Sequence, residues 1–283
     1  SQTRLIGYAW HETPNDQVNP VLDRFTYYLA QAAEAAGYHV LTFTHPIRQP
    51  LPVYDELIRT QRVDAFMLAG TVRADERIRF LIDADFPFVS FGRSNQGWDF
   101  PWVDTDGEQG VYAAMEYLIG LGHHKIAMAA WPEESITGSF RVQGYLDALR
   151  DVGIPFRPDY LVRGEHSEQA GRDAMAAWCS LPLDEQPTAV VAITDLVAVG
   201  VMNEAERRGL VVGRDLSVIG YDNVPMSQYL RPALTTLEQP ILEIGRALME
   251  TLEHILRQDA PPNTHQLIPP RLVVRDSCGV PVR

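Results

Sequence analysis

Short apolar runs and helix-length amphipathic runs alternate along nearly the whole chain, and few folds accept that pattern. "RLIGYAW" (residues 4–10) reads as a buried strand. "PVLDRFTYYLAQAAEAAG" (20–37) follows, with Val21, Phe25, Tyr28, Leu29, Ala32 and Ala36 spaced for one helix face and Gly37 as the stop. The cycle continues through strands at 38–43, 64–70 and 87–92, with helices at 53–61 and 74–84 between them. It restarts with a helix at 107–122 and a strand at 125–130, then helices at 139–153 and 167–180. A strand at 188–193, a helix at 196–209 and a strand at 216–221 come next, followed by a helix at 243–257 and an extended run at 265–277. Repeated strand–helix–strand units imply parallel sheets with right-handed crossovers and helices on both faces. About ten strands would make one wide sheet. The expected fold is therefore α/β, with two doubly wound parallel-sheet lobes and a composition break at "SNQGWDFPWVDTD" (94–106).

Ligands of such sheets bind beyond the carboxyl ends of the strands. That rule singles out Trp10 and His11, Gly70 and Thr71, Gly92 and Arg93, Trp131, Thr194 and Asp195, and Asp222 and Asn223. The segment "LSVIGYDNVPMSQYLRPALTTLEQP" (216–240) shows the pattern well. It begins as a strand and ends that strand on the acid Asp222. An irregular, proline-punctuated run then leads to Glu238 and Gln239. Carboxylate, amide and guanidinium groups pair hydroxyls, and flat rings cover C–H faces. A polyhydroxylated ligand needs that mixture.

Other chemistries find no support. There is no P-loop, no G-x-G-x-x-G after the first strand and no G-x-S-x-G elbow. His123 and His124 are adjacent and cannot share a helix face as paired zinc ligands do. No nucleophile–base pair stands out, so neither catalysis nor a metal or cofactor is expected. Cys179 and Cys278 lie in no C-x-x-C spacing and read as reduced, inert thiols. A net charge of −13 repels phosphate backbones, so these residues by themselves are a poor nucleic-acid surface. No apolar run approaches membrane-spanning length, and the first residues do not resemble a signal peptide.

Four motifs in order resemble the LacI/GalR family of bacterial transcription regulators, specifically its effector-binding core. "DTDGEQGVYAAMEYLIGLGHHKIAMAA" (104–130) carries the family's L-G-H-basic-x-I-A. "SFRVQGYLDALRDVGI" (139–154) matches its R-x-x-G-aromatic-x-x-A-L. "ITDLVAVGVMNEAERRGLVVGRDLSVIGYDN" (193–223) matches N-D-x-x-A-x-G followed by S-V-x-G-aromatic-D-D, and "LRPALTTLEQP" (230–240) matches P-x-L-T-T-x-x-Q-P. The resemblance implies a periplasmic-binding-protein-like fold with a ligand cleft between two lobes. The expected lobes are residues 1–102 plus 240–269 and 103–239 plus 270–283, with crossings near 102–103, 239–240 and 269–270. The family's helix-turn-helix head does not occur within these residues. Operator DNA would be reached only through that missing head, and the protein would act as a cytoplasmic homodimer and repressor.

The resemblance also assigns candidate ligand-binding residues. Arg141 lies at the family's effector-binding arginine and Asp222 at its ligand-binding acid. Thr194 departs from the family's asparagine and reaches less far. Asp195 is placed either in the site or as the cap of the following helix, and Gln239 at the crossing between lobes. Arg93 ends a strand of the first lobe, His166 occupies a pocket position, and Trp10 and Trp131 are rings that can stack on a sugar. A small-molecule effector, a mono- or disaccharide, is expected. The alternatives are a purine or other small-molecule effector, or a secreted sugar-binding protein serving a transporter.

Overall fold

The computed structural model describes residues 2–10, 19–46, 48–94, 97–259 and 263–282. The chain opens with β1 (Leu5–Ala9), α1 (Pro20–Ala35), β2 (His39–Phe43), α2 (Leu51–Arg59), β3 (Ala65–Leu68) and α3 (Glu76–Asp83). Then come β4 (Phe88–Phe91), β5 (Trp102–Thr105), α4 (Gly107–Gly120), β6 (Ile126–Ala130), α5 (Ile136–Asp151) and β7 (Leu161–Arg163). The remaining elements are α6 (Glu168–Trp178), β8 (Ala189–Ala192), α7 (Asp195–Arg207), β9 (Ser217–Tyr221), β10 (Thr235–Glu238), α8 (Ile241–Leu256), β11 (His265–Ile268) and β12 (Arg271–Val273).

These elements form two compact units, Ser1–Thr105 with Pro240–Ile268, and Asp106–Gln239 with Pro269–Arg283. The first holds a parallel sheet in the order β11-β5-β4-β3-β1-β2. The second holds β12-β10-β9-β8-β6-β7, parallel except for the antiparallel pair β10–β12. The expected divide at 102–103 falls inside β5, because residues 102–105 pair with both β4 and β11. Pro269 goes with the second unit, one residue before the expected return.

Alternation along the strands distributes two cores over the faces of the first sheet. Ile6, Tyr8, Ala65 and Met67 pack with Phe25 and Leu29 of α1 and Ile244 and Leu248 of α8. Phe66 and Leu68 pack instead with Tyr54 and Leu57 of α2 and Ile78 and Leu81 of α3. Full burial of each such side chain contributes roughly 1.5–3 kcal/mol of transfer free energy. In the second unit α4 lies against α5 and α6 against α7. The α6–α7 approach depends on two glycines. A Cβ on Gly171 would sit 2.0 Å from the Val197 carbonyl oxygen, and one on Gly200 would sit 1.9 Å from that of Glu168.

Three short strands escaped the sequence reading. β5 lies within the composition break, β7 is three residues long, and β10 ends the segment read as irregular. None is long enough to display alternation, and neighbouring strands set their pairing. The extended run 265–277 splits at Pro269–Pro270, with β11 in one sheet and β12 in the other.

His123 has a structural place. It is buried, with Nδ1 2.8 Å from Thr188 Oγ1 and Nε2 3.0 Å from Ser217 Oγ and 2.9 Å from the Gly279 carbonyl. One imidazole thus ties β6, β8, β9 and the C-terminal segment together, and burial holds its pKa below the usual histidine range. Cys278 is a free thiol, and burial pushes it up to about 11.

Candidate functional site in the second unit

The carboxyl ends of β6, β7, β8 and β9 lie along one edge of the second sheet, since those strands are parallel. Trp131 follows β6, His166 follows β7, Thr194 follows β8 and Asp222 follows β9. Arg141 comes from α5, whose first turn is capped by Ser135 accepting the Gly138 N–H at 3.0 Å. That helix starts at Ile136, three residues before its expected beginning.

Arg141 is only 3% exposed. Its Nη1 donates to the Ile193 carbonyl at 2.6 Å. Its Cζ lies 3.5 Å from the Tyr221 ring centroid and 5.2 Å from that of Trp131. The ring faces offset part of the cost of burying the guanidinium. No carboxylate of the described residues pairs with it, and its Nε is buried without a hydrogen-bond partner. The indole Nε1 of Trp131 is also buried without one among the described residues.

His166 packs edge-on against Trp131, with centroids 6.0 Å apart and planes at 74°. Its Nδ1 lies 3.3 Å from Thr194 Oγ1. Thr194 is the N-cap of α7 and accepts the Val197 N–H at 3.3 Å. Burial, and after it the Arg141 charge, lower the His166 pKa and keep the ring neutral.

Asp222 and Gln239 follow the neighbouring strands β9 and β10. Gln239 Nε2 donates to Asp222 Oδ1 at 2.7 Å, and the Asp222 N–H donates to the Leu237 carbonyl at 2.7 Å. Asp222 has φ 110° and Asn223 φ 49°, a left-handed turn that few side chains other than Asp and Asn accept. Arg275 holds this turn, donating from Nη2 to Asn223 Oδ1 at 2.7 Å and from Nη1 to the Leu234 carbonyl at 2.7 Å.

Asp195 takes neither expected role in simple form. The cap is Thr194, and Asp195 stands in the first turn of α7 at 1% exposure. Its Oδ1 accepts from Thr236 Oγ1 at 2.5 Å and its Oδ2 from the Val224 N–H at 2.8 Å. Both oxygens thus fasten the turn after Asp222 to β10. Burial, reinforced by the Asp222 charge, raises the Asp195 pKa to about 7. The folded state then holds a proton that the unfolded chain releases near 3.8. The resulting stabilisation is complete below that value and is lost as pH rises through about 7. His123 and His166, with lowered pKa values, act oppositely and cost stability as pH falls below 6.5. Asp195→Asn is expected to remove the Asp195 contribution alone. The stability of the parent relative to this variant should fall between about pH 4 and about pH 7 in urea denaturation.

Two candidates belong to the first unit. Arg93 donates from Nε to Asp104 Oδ2 at 2.9 Å and lies 5.5 Å from the Trp102 ring centroid. Thr71 Oγ1 holds its carbonyl at 2.7 Å. Trp10 is 45% exposed, with its backbone N–H bonded to the Phe43 carbonyl. His11 lies outside the described residues.

The structure therefore brings Arg141, Trp131, His166 and Thr194 together, and pairs Asp222 with Gln239. Sequence reasoning passed over Tyr221 and Arg275. Tyr221 was visible only as the last residue of a buried strand. Arg275 sits 52 residues from the turn it holds, a separation that local pattern does not register.

A family model described as a periplasmic binding protein-like domain matches residues 115–278, more than half of the chain. Among curated proteins, the HTH-type transcriptional repressor CytR of Escherichia coli K12 is 34% identical over 229 residues. That match covers 78% of this chain and 64% of CytR, so the chain spans less than two thirds of that relative's length. Among solved structures, a LacI-family regulatory protein from Chloroflexus aggregans is 42% identical with a TM-score of 0.94, covering 98% of this chain and 99% of that one. A structure of the transcriptional regulator CelR with cellobiose is 25% identical with a TM-score of 0.86, covering 98% of this chain and 85% of that one.

Proposed function

Because the chain belongs to the LacI/GalR family of transcriptional regulators, we propose that it is the effector-binding part of a cytoplasmic repressor whose ligand is a small carbohydrate. The observation that carries this reading is the Arg141 cluster. It sets a buried guanidinium, two ring faces, an imidazole, a carboxylate and an amide at one edge of a parallel sheet. Rings to cover C–H faces and charged groups to pair hydroxyls suit a saccharide. A similar regulator solved with cellobiose supports that class.

In this reading the sugar binds at the strand-end cluster of the second unit, with Gln239 beside Asp222. Ligand changes function only through its different affinity for two arrangements of the protein. A coupling of roughly 1–3 kcal/mol changes DNA affinity several-fold to about a hundredfold. Operator DNA is contacted through a segment outside these residues, and the protein works as a homodimer.

A thermal-shift screen against sugars, sugar phosphates and nucleobases tests the proposal. A ligand at a hundred times its Kd adds about 2.7 kcal/mol, which at this size is roughly 5–10 °C in Tm. At least one carbohydrate is expected to give such a shift. If nucleobases alone shift the transition, the carbohydrate assignment is wrong.

A further inference from the structure

We infer that Asp195 is a positioning residue that touches no ligand itself and, by holding or losing a proton, sets the turn that carries Asp222. The inference rests on the effector-binding reading above, in which Asp222 is a ligand group, and makes that site responsive to pH.

The turn after β9 does not hold itself. Asp222 at φ 110° and Asn223 at φ 49° both stand in the left-handed region, and such backbone persists only where its surroundings fix it. Asp195 supplies much of that fixing. Its Oδ2 accepts the Val224 N–H at 2.8 Å. Its Oδ1 accepts from Thr236 Oγ1, which in turn accepts the Asn223 N–H at 3.3 Å. The carboxyl is also seated against β9, where a Cβ on Gly220 would lie 2.3 Å from Oδ1. One side chain at the start of α7 thereby links β9, β10 and the turn between them.

Charged and neutral carboxyls meet these partners differently. A carboxylate accepts at both oxygens, whereas a carboxylic acid has one proton to donate. Oδ2 faces an N–H donor, so the proton belongs on Oδ1. The bond to Thr236 then reverses, and Thr236 Oγ1 accepts from Asp195 and from the Asn223 N–H together. Protonation is thus transmitted to the residue beside Asp222. Burial, then the Asp222 charge, raise the Asp195 pKa to about 7, while Thr236, the Val224 N–H and Arg275 act the other way. Two further groups reach the same strand end, Arg141 at the Ile193 carbonyl and His166 at Thr194. A ligand that covers Asp222 removes the water that screens the two carboxyls from each other. Repulsion by a charged Asp195 then grows, so the ligand binds better when Asp195 holds its proton, and binding draws a proton onto it.

Amide resonances of Asn223 and Val224 in the ligand-free protein test the turn. Both are expected to titrate with a midpoint at about 7 in the parent and to stay in place in Asp195→Asn. Asparagine keeps both contacts, its oxygen toward the Val224 N–H and its amide toward Thr236, and so stands in for the protonated acid. Absence of this titration, or the same titration in the variant, overturns the inference and leaves the effector site standing. Calorimetric titration tests the ligand, using cellobiose and each carbohydrate that raises the melting temperature in the screen. Affinity of the parent should fall roughly three- to tenfold between about pH 6.5 and about pH 8.5. The lowered pKa values of His123 and His166 place their titrations on the acid side of this window. Asp195→Asn should keep the affinity of the acid side throughout. Asp195→Ala loses both contacts and should bind more weakly at every pH; if it fails to fold, the asparagine variant carries the test. A parent affinity that ignores pH, or an equal slope in parent and asparagine variant, also overturns the inference. If no carbohydrate binds at any pH, the carbohydrate-effector reading falls, while the amide titration still decides whether Asp195 sets the turn.

Discussion

Gly200→Ala is expected to destabilise the second unit by about 3 kcal/mol, the upper end of ordinary overpacking costs. The added methyl would meet the Glu168 carbonyl oxygen at 1.9 Å and the Arg172 backbone nitrogen at 2.9 Å. Both obstacles are backbone of α6, so no side chain can swing away and the helices must separate. Alanine's better helix propensity returns only about 1 kcal/mol. Separation also reaches the site, because His166 lies just before α6 and its partner Thr194 caps α7. Gly120→Ala is the control: it lies at the end of α4 with nothing within 4 Å of its Cβ position. It should be neutral or slightly stabilising. Urea denaturation of the two variants beside the parent checks both.

Arg141→Met is expected to separate stability from binding. Removal of the guanidinium deletes a buried charge that has no ion pair among the described residues, and methionine retains much of the packing against Tyr221. Replacing buried charge by an apolar group of similar volume is often neutral or stabilising. The lost bond to the Ile193 carbonyl offsets part of that gain. The unliganded variant should therefore stay within about 1 kcal/mol of the parent in stability or exceed it. Its affinity for a carbohydrate effector should drop roughly 30- to 100-fold, the loss of one charge-assisted contact of 2–3 kcal/mol. Urea denaturation and calorimetric titration read the two effects independently.

Much of the architecture was legible because buried parallel strands and amphipathic helices leave strong periodic signals. β1, β3, β6, β8 and β9 are apolar runs whose residues are almost all buried. The strands that escaped were those whose identity comes from neighbours. β10 is "TTLE", and it becomes a strand because β9 and β12 flank it. The site divides in the same way. Arg141 and Asp222 stand out through motifs that resemble a known family, and Trp131, His166 and Thr194 stand out as strand-end positions. Their arrangement was not readable. Nothing in the spacing of Thr194 and His166, 28 residues apart, reveals that the hydroxyl and the imidazole Nδ1 lie 3.3 Å apart. Asp195 shows the converse. An acid after a strand suggests ligand or cap, but the fold uses both of its oxygens to fasten a turn.

The most direct test of the Arg141 cluster as the effector site follows the indole N–H resonances of the five tryptophans during ligand titration. Trp131→Phe assigns the relevant signal. Trp178 provides the reference within the same unit, since its N–H already donates to the Asp159 carbonyl at 3.1 Å. With a carbohydrate that raises the melting temperature, the Trp131 resonance should move to saturation while that of Trp178 stays in place. A carbohydrate that saturates the protein and leaves the Trp131 resonance unmoved would contradict the assignment.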